Sequence, residues 1–184
     1  AKNIINLGLK VIIENNYASH IGITDKEYKV LGVEIKNSSK EVLNNCNLLT
    51  KVNCPSDDEI SNLKAKTILI GMLNPSKNKS KINYIIKKGI DVFSLELLPR
   101  ISRAQSMDVL SSQSNLAGYR SVVDSIYEFE KAIPMMMTAA GTVPAAKVLV
   151  VGAGVAGLQA IATAKRMGAI VFATDVRMAS KEQV

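Results

Sequence analysis

Short apolar runs alternate with amphipathic segments along most of the chain. Each run is rich in Val, Ile and Leu, which is typical of strands buried on both faces of a parallel sheet. The runs that we predict as β-strands are residues 10–14, 33–36, 48–52, 67–73, 91–94, 147–151 and 170–174.

The segments between these runs carry apolar residues at the three-to-four spacing of a helix, and several begin at or beside a Ser, Thr, Asp or Asn that can cap a helix. Regular alternation of strands and helices predicts an α/β fold with mainly parallel sheets. The predicted helices are residues 25–31, 38–43, 57–63, 79–88 and 155–167.

A longer helical pattern interrupts this alternation at residues 111–133, and Pro134 follows it. We interpret this helix as the connection between two Rossmann-like units. The predicted N-terminal domain spans residues 1–134, including the helix, and the predicted nucleotide-binding domain spans residues 135–184. Because the chain begins without a methionine and ends just after the start of a predicted helix, we expect both units to be truncated parts of a longer polypeptide.

The chain has 184 residues, of which 47% are hydrophobic and 21% are charged. This composition is sufficient for a packed core and argues against intrinsic disorder. One histidine and two cysteines cannot supply the four ligands of a structural zinc site, so no metal is expected. The apolar stretch 148–164 contains three glycines, which favours a strand followed by a helix over a membrane-spanning helix.

The formal net charge is +7, and seven lysines without an acid lie between Glu59 and Asp91. Aromatic residues make up 4% of the chain and Trp is absent, so the stacking surfaces that bind single-stranded nucleic acid are not expected. Two interpretations of the lysines stay open: a solvated face, or a patch that attracts an anionic partner.

The strongest local motif is G-x-G-x-x-G, formed by Gly152, Gly154 and Gly157 directly after a predicted strand and at the start of a predicted helix. The first glycine permits a tight turn, the second lets the backbone approach a pyrophosphate, and the third lets the helix pack on the sheet. The amino end of that helix offers free N–H groups to phosphate. This arrangement predicts a dinucleotide-binding turn.

Asp175 lies at the end of the next predicted strand, about 20 residues beyond the turn, where dinucleotide-binding folds place the acid that binds the adenosine ribose. Its carboxylate favours NAD over NADP, since it would repel a 2′-phosphate. Arg177 weakens this argument, because an arginine nearby can hold that phosphate. The alternative is a structural strand–helix–strand unit with an ordinary loop aspartate.

Residues 99–120 form a second polar segment, dense in Arg, Gln, Ser, Asp and Asn side chains after a predicted strand. Loops of this composition hold polar ligands in many proteins. The same residues also suit the capped start of a helix with solvated side chains. The composition of the segment does not decide between these two interpretations.

The stretch from residue 98 to residue 184 closely resembles domain I, the NAD(H)-binding region, of proton-translocating NAD(P) transhydrogenases. The matching sequences are PRISRAQSMDVLSSQSNLAGYR, MMMTAAGTVPAAKVLVVGAGVAGLQAIATAKRMGA and ATDVR. The preceding residues are similar in a looser way, through LTKVNCPSDDEI and the apolar strand after it. The resemblance therefore covers most of the chain.

The resemblance implies a set of residues that bind NAD(H). Arg100, Gln105, Asp108 and Ser111 are the implied catalytic residues, at the nicotinamide end. Arg100 and Ser111 would orient the carboxamide, and Gln105 would contact the nicotinamide ribose and a second cofactor, NADP(H), bound on a partner domain. The other implied cofactor-binding residues are Ile101, Ser102, Gly152, Gly154, Val155, Ala156, Gly157, Asp175, Val176 and Arg177.

The resemblance also implies partners and a location. The full enzyme would transfer hydride directly between NADH and NADP⁺ and couple this transfer to proton movement through a membrane domain. Domain I of the family forms a homodimer at the cytosolic face of the membrane. We expect this chain by itself to bind NAD(H) weakly, because it lacks segments that the family carries on either side.

Alanine dehydrogenases belong to the same superfamily and are the first alternative. Oxidation of an amine needs a proton acceptor, and the histidine expected of those enzymes is missing from residues 69–78. His20 lies in a polar stretch outside every family motif, where we expect a surface or structural role. A non-catalytic NAD-binding module is the alternative from a different class of function.

Overall fold

The computed structural model describes residues 1–183. The chain divides into two units, Ala1–Pro99 and Arg100–Val184. The long helix belongs to the second of these units, whereas the sequence pattern places it in the first domain. The predicted domain boundary between residues 134 and 135 stays a prediction, since compactness alone does not define a domain.

In the first unit, strands and helices alternate as the sequence predicts, with one additional short helix at the start. The strands are β1 (Ile12–Glu14), β2 (Glu34–Lys36), β3 (Leu48–Asn53), β4 (Ile68–Met72) and β5 (Asp91–Ser94). The helices are α1 (Lys2–Asn6), α2 (Asp25–Val30), α3 (Ser39–Asn45), α4 (Asp57–Asn62) and α5 (Lys79–Lys87), with 3₁₀ turns at Ser19–Ile21 and Leu95–Leu97. Helix α1 is not predicted by the hydrophobic pattern.

The strand pairs described in the first unit are parallel. β1 pairs with β2, and β3, β4 and β5 form a three-stranded sheet with β4 in the centre. Parallel neighbours need a crossover connection, and helices between the paired strands provide it. The order of elements in the sequence therefore leads directly to this topology.

Serine side chains begin two of these helices. Ser38 Oγ accepts a hydrogen bond from the backbone N–H of Glu41 at 3.3 Å, and Ser56 Oγ accepts one from Glu59 at 3.2 Å. The Glu59 carboxylate in turn accepts the Ser56 N–H at 2.8 Å, which completes a capping box. The capping residues in the sequence thus predict the starts of α3 and α4 to within one residue.

Apolar side chains from the three-stranded sheet and its helices meet in a buried cluster. Ile60 of α4, Leu69 of β4 and Ile85 of α5 are fully buried at its centre. Burial of one such side chain contributes about 1.5–3 kcal/mol to folding. The other buried members are Leu43, Leu63, Leu73 and Ile90.

The lysines of the first unit have different surroundings. Lys88 Nζ donates hydrogen bonds to the carbonyl oxygens of Ile60 and Ser61, at 2.6 and 2.7 Å, and thereby satisfies the carboxyl end of α4. The remaining lysines of the acid-free stretch are mostly solvated, which supports the interpretation of a solvated face. The exposed ones are Lys64, Lys66, Lys77, Lys79 and Lys87.

The second unit combines a long helix with a two-stranded parallel sheet. The strands Lys147–Val151 and Ile170–Thr174 are parallel, and the helix between them is their crossover. The predicted α/β fold with parallel sheets is thus confirmed in both units. The elements are α6 (Val109–Phe129), β6 (Met136–Thr138), β7 (Gly141–Val143), β8 (Lys147–Val151), α7 (Val155–Arg166) and β9 (Ile170–Thr174), with 3₁₀ turns at Ser102–Met107 and Met178–Gln183.

Two predictions for the region after the long helix are wrong. The helix ends at Phe129 rather than at residue 133, because Glu130 takes a left-handed conformation with a φ of 53°. β6 and β7 form an antiparallel hairpin, although the pattern predicts no element there. The loop of this hairpin, Ala139 and Ala140, lacks the Asn or Gly that usually marks a tight β-turn.

Helices α6 and α7 pack against each other and against alternate residues of β8 and β9. Val122 of α6 and Ala160 and Ala164 of α7 form the buried centre of this contact. The small alanine side chains let the two helices approach closely. The strand residues packed on this centre are Val148, Val150 and Val171.

Neighbouring isoleucines of α5 provide a matched test of the core in the first unit. Ile85 is 0% exposed and Ile86 is 56% exposed. We expect Ile85→Ala to lower the free energy of unfolding by about 2–5 kcal/mol, because it removes buried methyl groups and leaves a cavity. Ile86→Ala should change it by about 0.5 kcal/mol or less. Urea denaturation followed by circular dichroism measures both, and equal losses would rule out a core role for Ile85.

Candidate functional site

The glycine-rich turn joins β8 to α7 through a close contact between backbones. Gly152 has a φ of 97°, a conformation that other residues rarely adopt, and its N–H donates to the carbonyl oxygen of Thr174 at 2.7 Å. A Cβ on Gly157 would lie 1.8 Å from the carbonyl oxygen of Gly152. These two positions therefore require glycine, as the motif predicts.

Among the residues described, no side chain caps the amino end of α7. Gly154 precedes the helix, and the first turn contains no acid. Helix N–H groups without a cap, together with the partial positive charge of the helix dipole, favour a bound anion. This geometry fits the phosphate-binding role predicted for the turn.

Asp175 ties the end of β9 to the glycine-rich turn. One carboxylate oxygen accepts the backbone N–H of Ala153 at 2.7 Å. The carboxylate also accepts the backbone N–H of Arg177 at 2.8 Å and its guanidinium Nε and Nη2 at 3.1 and 3.2 Å. The Asp175 side chain is 9% exposed. The predicted ribose-binding acid therefore lies at the turn, with Arg177 paired to it.

Arg177 also controls the charge of this carboxylate. Hydrogen bonds from its guanidinium are the main cause that holds the pKa of Asp175 well below the usual range, and the backbone N–H groups of Arg177 and Ala153 lower it further. Because the pKa is lowered in the folded state, ionised Asp175 stabilises the fold above the pKa of an unfolded aspartate. This contribution is lost as the pH falls through the lowered pKa of the folded state.

A cleft of about 650 Å³ in the second unit is lined by residues of the segment 99–120 and of the glycine-rich turn. Arg100 and Ser111 come from the segment 99–120. Ser111 precedes Gly152 by about 40 residues in the sequence, so the fold brings these predicted residues together. The residues contributed by the glycine-rich turn and α7 are Gly152, Gly154, Val155, Ala156 and Gly157.

Asp108 and Ser111 form the cap of α6. Ser111 donates its backbone N–H, at 2.9 Å, and its hydroxyl, at 2.6 Å, to the Asp108 carboxylate. The Ser111 hydroxyl is the main cause that lowers the pKa of Asp108. The interpretation of the segment as a capped helix start is therefore correct for these two residues, and a ligand-binding role for them stays a prediction.

Other predicted residues are exposed and lie outside the lining of that cleft. Ser102 and Gln105 belong to the 3₁₀ turn Ser102–Met107, which Ile101 precedes. Val176 is 99% exposed beyond the end of β9. Contact between these side chains and a cofactor stays a prediction.

Apart from Ser111, the predicted site residues do not include the residues of α6 that line the cleft, among them Ser114, Gly118 and Ser121. A Cβ on Gly118 would lie 2.1 Å from the carbonyl oxygen of Ala156, so α6 touches α7 directly beside the glycine-rich turn. The available signal is the three-to-four spacing of these residues and Ser111, which places small side chains on one face of a helix.

Within residues 1–183, no group of three or more His, Cys, Asp or Glu side chains is arranged to hold a metal ion. In the same stretch of the chain, no helix is both long and apolar enough to cross a membrane. His20 is exposed in the turn Ser19–Ile21, so its predicted surface position is confirmed.

The glycine-rich turn between parallel strands defines a Rossmann-like α/β protein. Residues 1–117 match the family described as alanine dehydrogenase/PNT, N-terminal domain. Residues 121–184 match the one described as alanine dehydrogenase/PNT, C-terminal domain. The chain belongs to the alanine dehydrogenase/PNT family.

The chain is similar to transhydrogenase subunits over its whole length. It is 50% identical to an NAD(P) transhydrogenase alpha-subunit protein of Rhodospirillum rubrum, across 100% of this chain and 49% of that protein. The protein of the same name from Rickettsia prowazekii is 46% identical, across 98% of this chain and 48% of the relative. The chain thus spans about half the length of the curated relatives it matches.

Solved structures lead to the same family. The crystal structure of transhydrogenase from Sinorhizobium meliloti has a TM-score of 0.93 and 50% identity, covering 100% of this chain and 55% of that one. An L-alanine dehydrogenase has a TM-score of 0.80 at 21% identity, covering 98% and 50%, and so shares the fold alone. These matches confirm the Rossmann-like fold class and the family that the motifs predict.

Removal of the Arg177 guanidinium tests the ion pair at the turn. We expect Arg177→Ala to raise the pKa of Asp175, because the main cause of the lowered pKa is lost while the backbone N–H groups remain. NMR titration of the Asp175 carboxyl carbon measures this change. Val176→Ala, at a side chain that is 99% exposed, is the control and should leave the pKa unchanged. An Asp175 pKa that does not respond to Arg177→Ala would disprove the pairing.

Proposed function

We propose that this chain is the NAD(H)-binding component of a proton-translocating transhydrogenase. The observation that carries the proposal is the glycine-rich turn with Asp175 bonded to its Ala153 amide, in a chain 50% identical to a protein named as belonging to the NAD(P) transhydrogenase alpha subunit. The full enzyme would transfer hydride between NADH and NADP⁺ and couple the transfer to proton movement across a membrane.

The turn suits the phosphates of a dinucleotide. The uncapped N–H groups of Val155 and Ala156 would donate to the pyrophosphate. Gly154 lets the backbone come close to that group, since among residues 1–183 only the Arg177 guanidinium, at 3.9 Å, lies within 4 Å of the place of its missing Cβ. Asp175 would accept a hydrogen bond from an adenosine ribose hydroxyl in place of one of the two from the Arg177 guanidinium.

The charges at the turn support NAD(H) over NADP(H). The lowered pKa of Asp175 keeps its carboxylate ionised, and a negative charge there repels a 2′-phosphate. Arg177 is the cation that would otherwise hold this phosphate, and its guanidinium is paired with Asp175. NADP(H) would therefore bind on a partner domain.

The proposed reaction requires little acid–base catalysis by the protein. The nicotinamide ring supplies the carbon that gives or takes the hydride, and no proton is transferred at that carbon. The side chains have to bind the ring, orient it and exclude water. Arg100, Asp108 and Ser111 would hold the nicotinamide end, and Gln105 would contact its ribose.

The partners belong to the same proposal. A second copy of this domain would complete a homodimer. An NADP(H)-binding domain would supply the second cofactor, and a membrane domain would conduct protons. The complex would lie with this component in the cytoplasm, at the cytosolic face of the inner membrane. Neither nucleic acid nor a metal ion has a role in it.

An alanine dehydrogenase is the alternative enzyme. The alanine dehydrogenase of Mycolicibacterium smegmatis is 28% identical to this chain, which is well below the 50% of the transhydrogenase subunit. Residues 69–78 also lack the histidine that we expect for amine oxidation. Formation of NADH that depends on added alanine would establish this alternative. Tight NADH binding without hydride transfer to any acceptor would instead establish a non-catalytic module.

Isothermal titration of the complete gene product with NADH and NADPH tests the cofactor assignment. We expect NADH to bind more tightly, and we expect Asp175→Ala to weaken it about tenfold or more, because hydrogen bonds to a charged group are lost. Asp58→Ala removes an exposed acid from α4 and is the control. Equal effects of the two substitutions would contradict a ribose-binding role for Asp175.

Hydride transfer in the complete gene product, combined with its NADP(H)-binding partner, tests the nicotinamide end. We expect Gln105→Asn to slow transfer by about tenfold or more, since a shortened side chain misplaces the contact with the ribose. Gln113→Asn is the matched control, because Gln113 is an exposed glutamine of α6. If Gln105→Asn slows transfer no more than Gln113→Asn, the role given to Gln105 is wrong.

A further inference from the structure

We propose that Gly118 is a positioning residue of the cleft, which sets the separation between α6 and the first turn of α7. This separation would determine the distance that NAD(H) has to bridge. The inference rests on the proposed function, since it concerns the same NAD(H) site. Gly118 lies outside the glycine-rich motif and outside the residues that the resemblance implies.

Gly118 lets two helices touch through their backbones. It is buried, and a Cβ placed on it would lie 2.1 Å from the carbonyl oxygen of Ala156, 2.8 Å from its carbonyl carbon and 3.0 Å from its Cα. Separations below 3.0 Å are essentially never found for real Cβ atoms. All three neighbours are backbone atoms, so no change of side-chain rotamer relieves the overlap.

The first turn of α7 has little freedom to move away from an added methyl group. Gly157 follows Ala156 and lies so close to Gly152 that a Cβ there would be 1.8 Å from the Gly152 oxygen. Gly152 is in turn bonded to Thr174 of β9 at 2.7 Å. The sheet therefore fixes this turn, and a side chain at position 118 has to displace α6 instead.

Helix α6 carries the other side of the cleft. Ser111 lies about two helical turns before Gly118 on the same helix. Arg100 and Ser111 line the cleft together with the glycine-rich turn. A displaced α6 moves Ser111 away from that turn and leaves Asp175 where it is. NADH contacts both sides under the proposed function, whereas ADP reaches only the turn and Asp175.

Isothermal titration of the complete gene product with NADH and with ADP tests this role. We expect Gly118→Ala to weaken NADH binding roughly tenfold to a hundredfold, because hydrogen bonds from the α6 side of the cleft, among them those of charged Arg100 and of Ser111, are lost. ADP binding should stay within about twofold, because its contacts are not displaced. The ratio of the two dissociation constants separates positioning from general destabilisation, which does not favour one ligand over the other.

Val122→Ala is the matched control on the same helix. Val122 is 6% exposed in the contact between α6 and α7, so its truncation destabilises the unit without adding a group beside Ala156. We expect Val122→Ala to lower the melting temperature and to leave the ratio of the NADH and ADP dissociation constants unchanged.

Two results for Gly118→Ala would overturn the positioning role: an unchanged ratio, including an equal loss of affinity for both ligands, or loss of the cooperative thermal transition. The last counts against the proposal because α6 has to shift within a unit that stays folded. If the unsubstituted protein does not bind NADH, the proposed function itself fails and the inference fails with it. A failure confined to Gly118→Ala leaves the proposed function intact.

Discussion

The backbone contact between Gly152 and Gly157 is the constraint on which the candidate site depends. It fixes the first turn of α7 against the end of β8, and the other elements of the site are placed relative to that turn. Asp175 reaches the turn through a backbone amide, and α6 reaches it through Gly118. Side chains at these glycines would separate the elements that form the cleft. The absence of a Cβ at these positions therefore shapes the site as much as its polar groups do.

Carboxylates of the chain satisfy backbone donors at the carboxyl ends of parallel strands in both units. In the first unit, the Glu96 carboxylate accepts the N–H groups of Leu73, at 3.2 Å, and Asn74, just after β4, and the Ser94 hydroxyl at 2.7 Å. Burial raises the pKa of Glu96, but these hydrogen bonds together bring it below its ordinary value. The chain therefore supplies its own anion there. In the second unit Asp175 does the same for the Ala153 N–H, and no described side chain caps the start of α7.

The sequence predicts what depends on local patterns and misses what depends on distant contacts. The apolar run containing β4 predicts a buried strand. In the structure alternate residues of β4 are buried, Leu69 fully so. The glycine-rich turn is also predictable, since its φ requirement and its helix contact lie within six residues. The close contact of Gly118 is not predictable from the sequence, because its partner, Ala156, lies far along the chain. The role of Asp108 is not predictable from composition, since the same residue types suit a helix cap and a ligand site. The structure shows the cap directly.

The fold cannot by itself separate amine oxidation from hydride exchange, because an L-alanine dehydrogenase has the same fold at 21% identity. The chemistry of the candidate residues supports the proposed hydride exchange. Amine oxidation needs a proton acceptor. The Arg100 guanidinium has donors and no acceptor, and hydrogen bonds from Ser111 lower the pKa of Asp108. Such groups orient a ring better than they remove a proton. The proposed hydride exchange needs position and no proton transfer, so under that proposal the separations set by glycine contacts matter more than the pKa of any side chain.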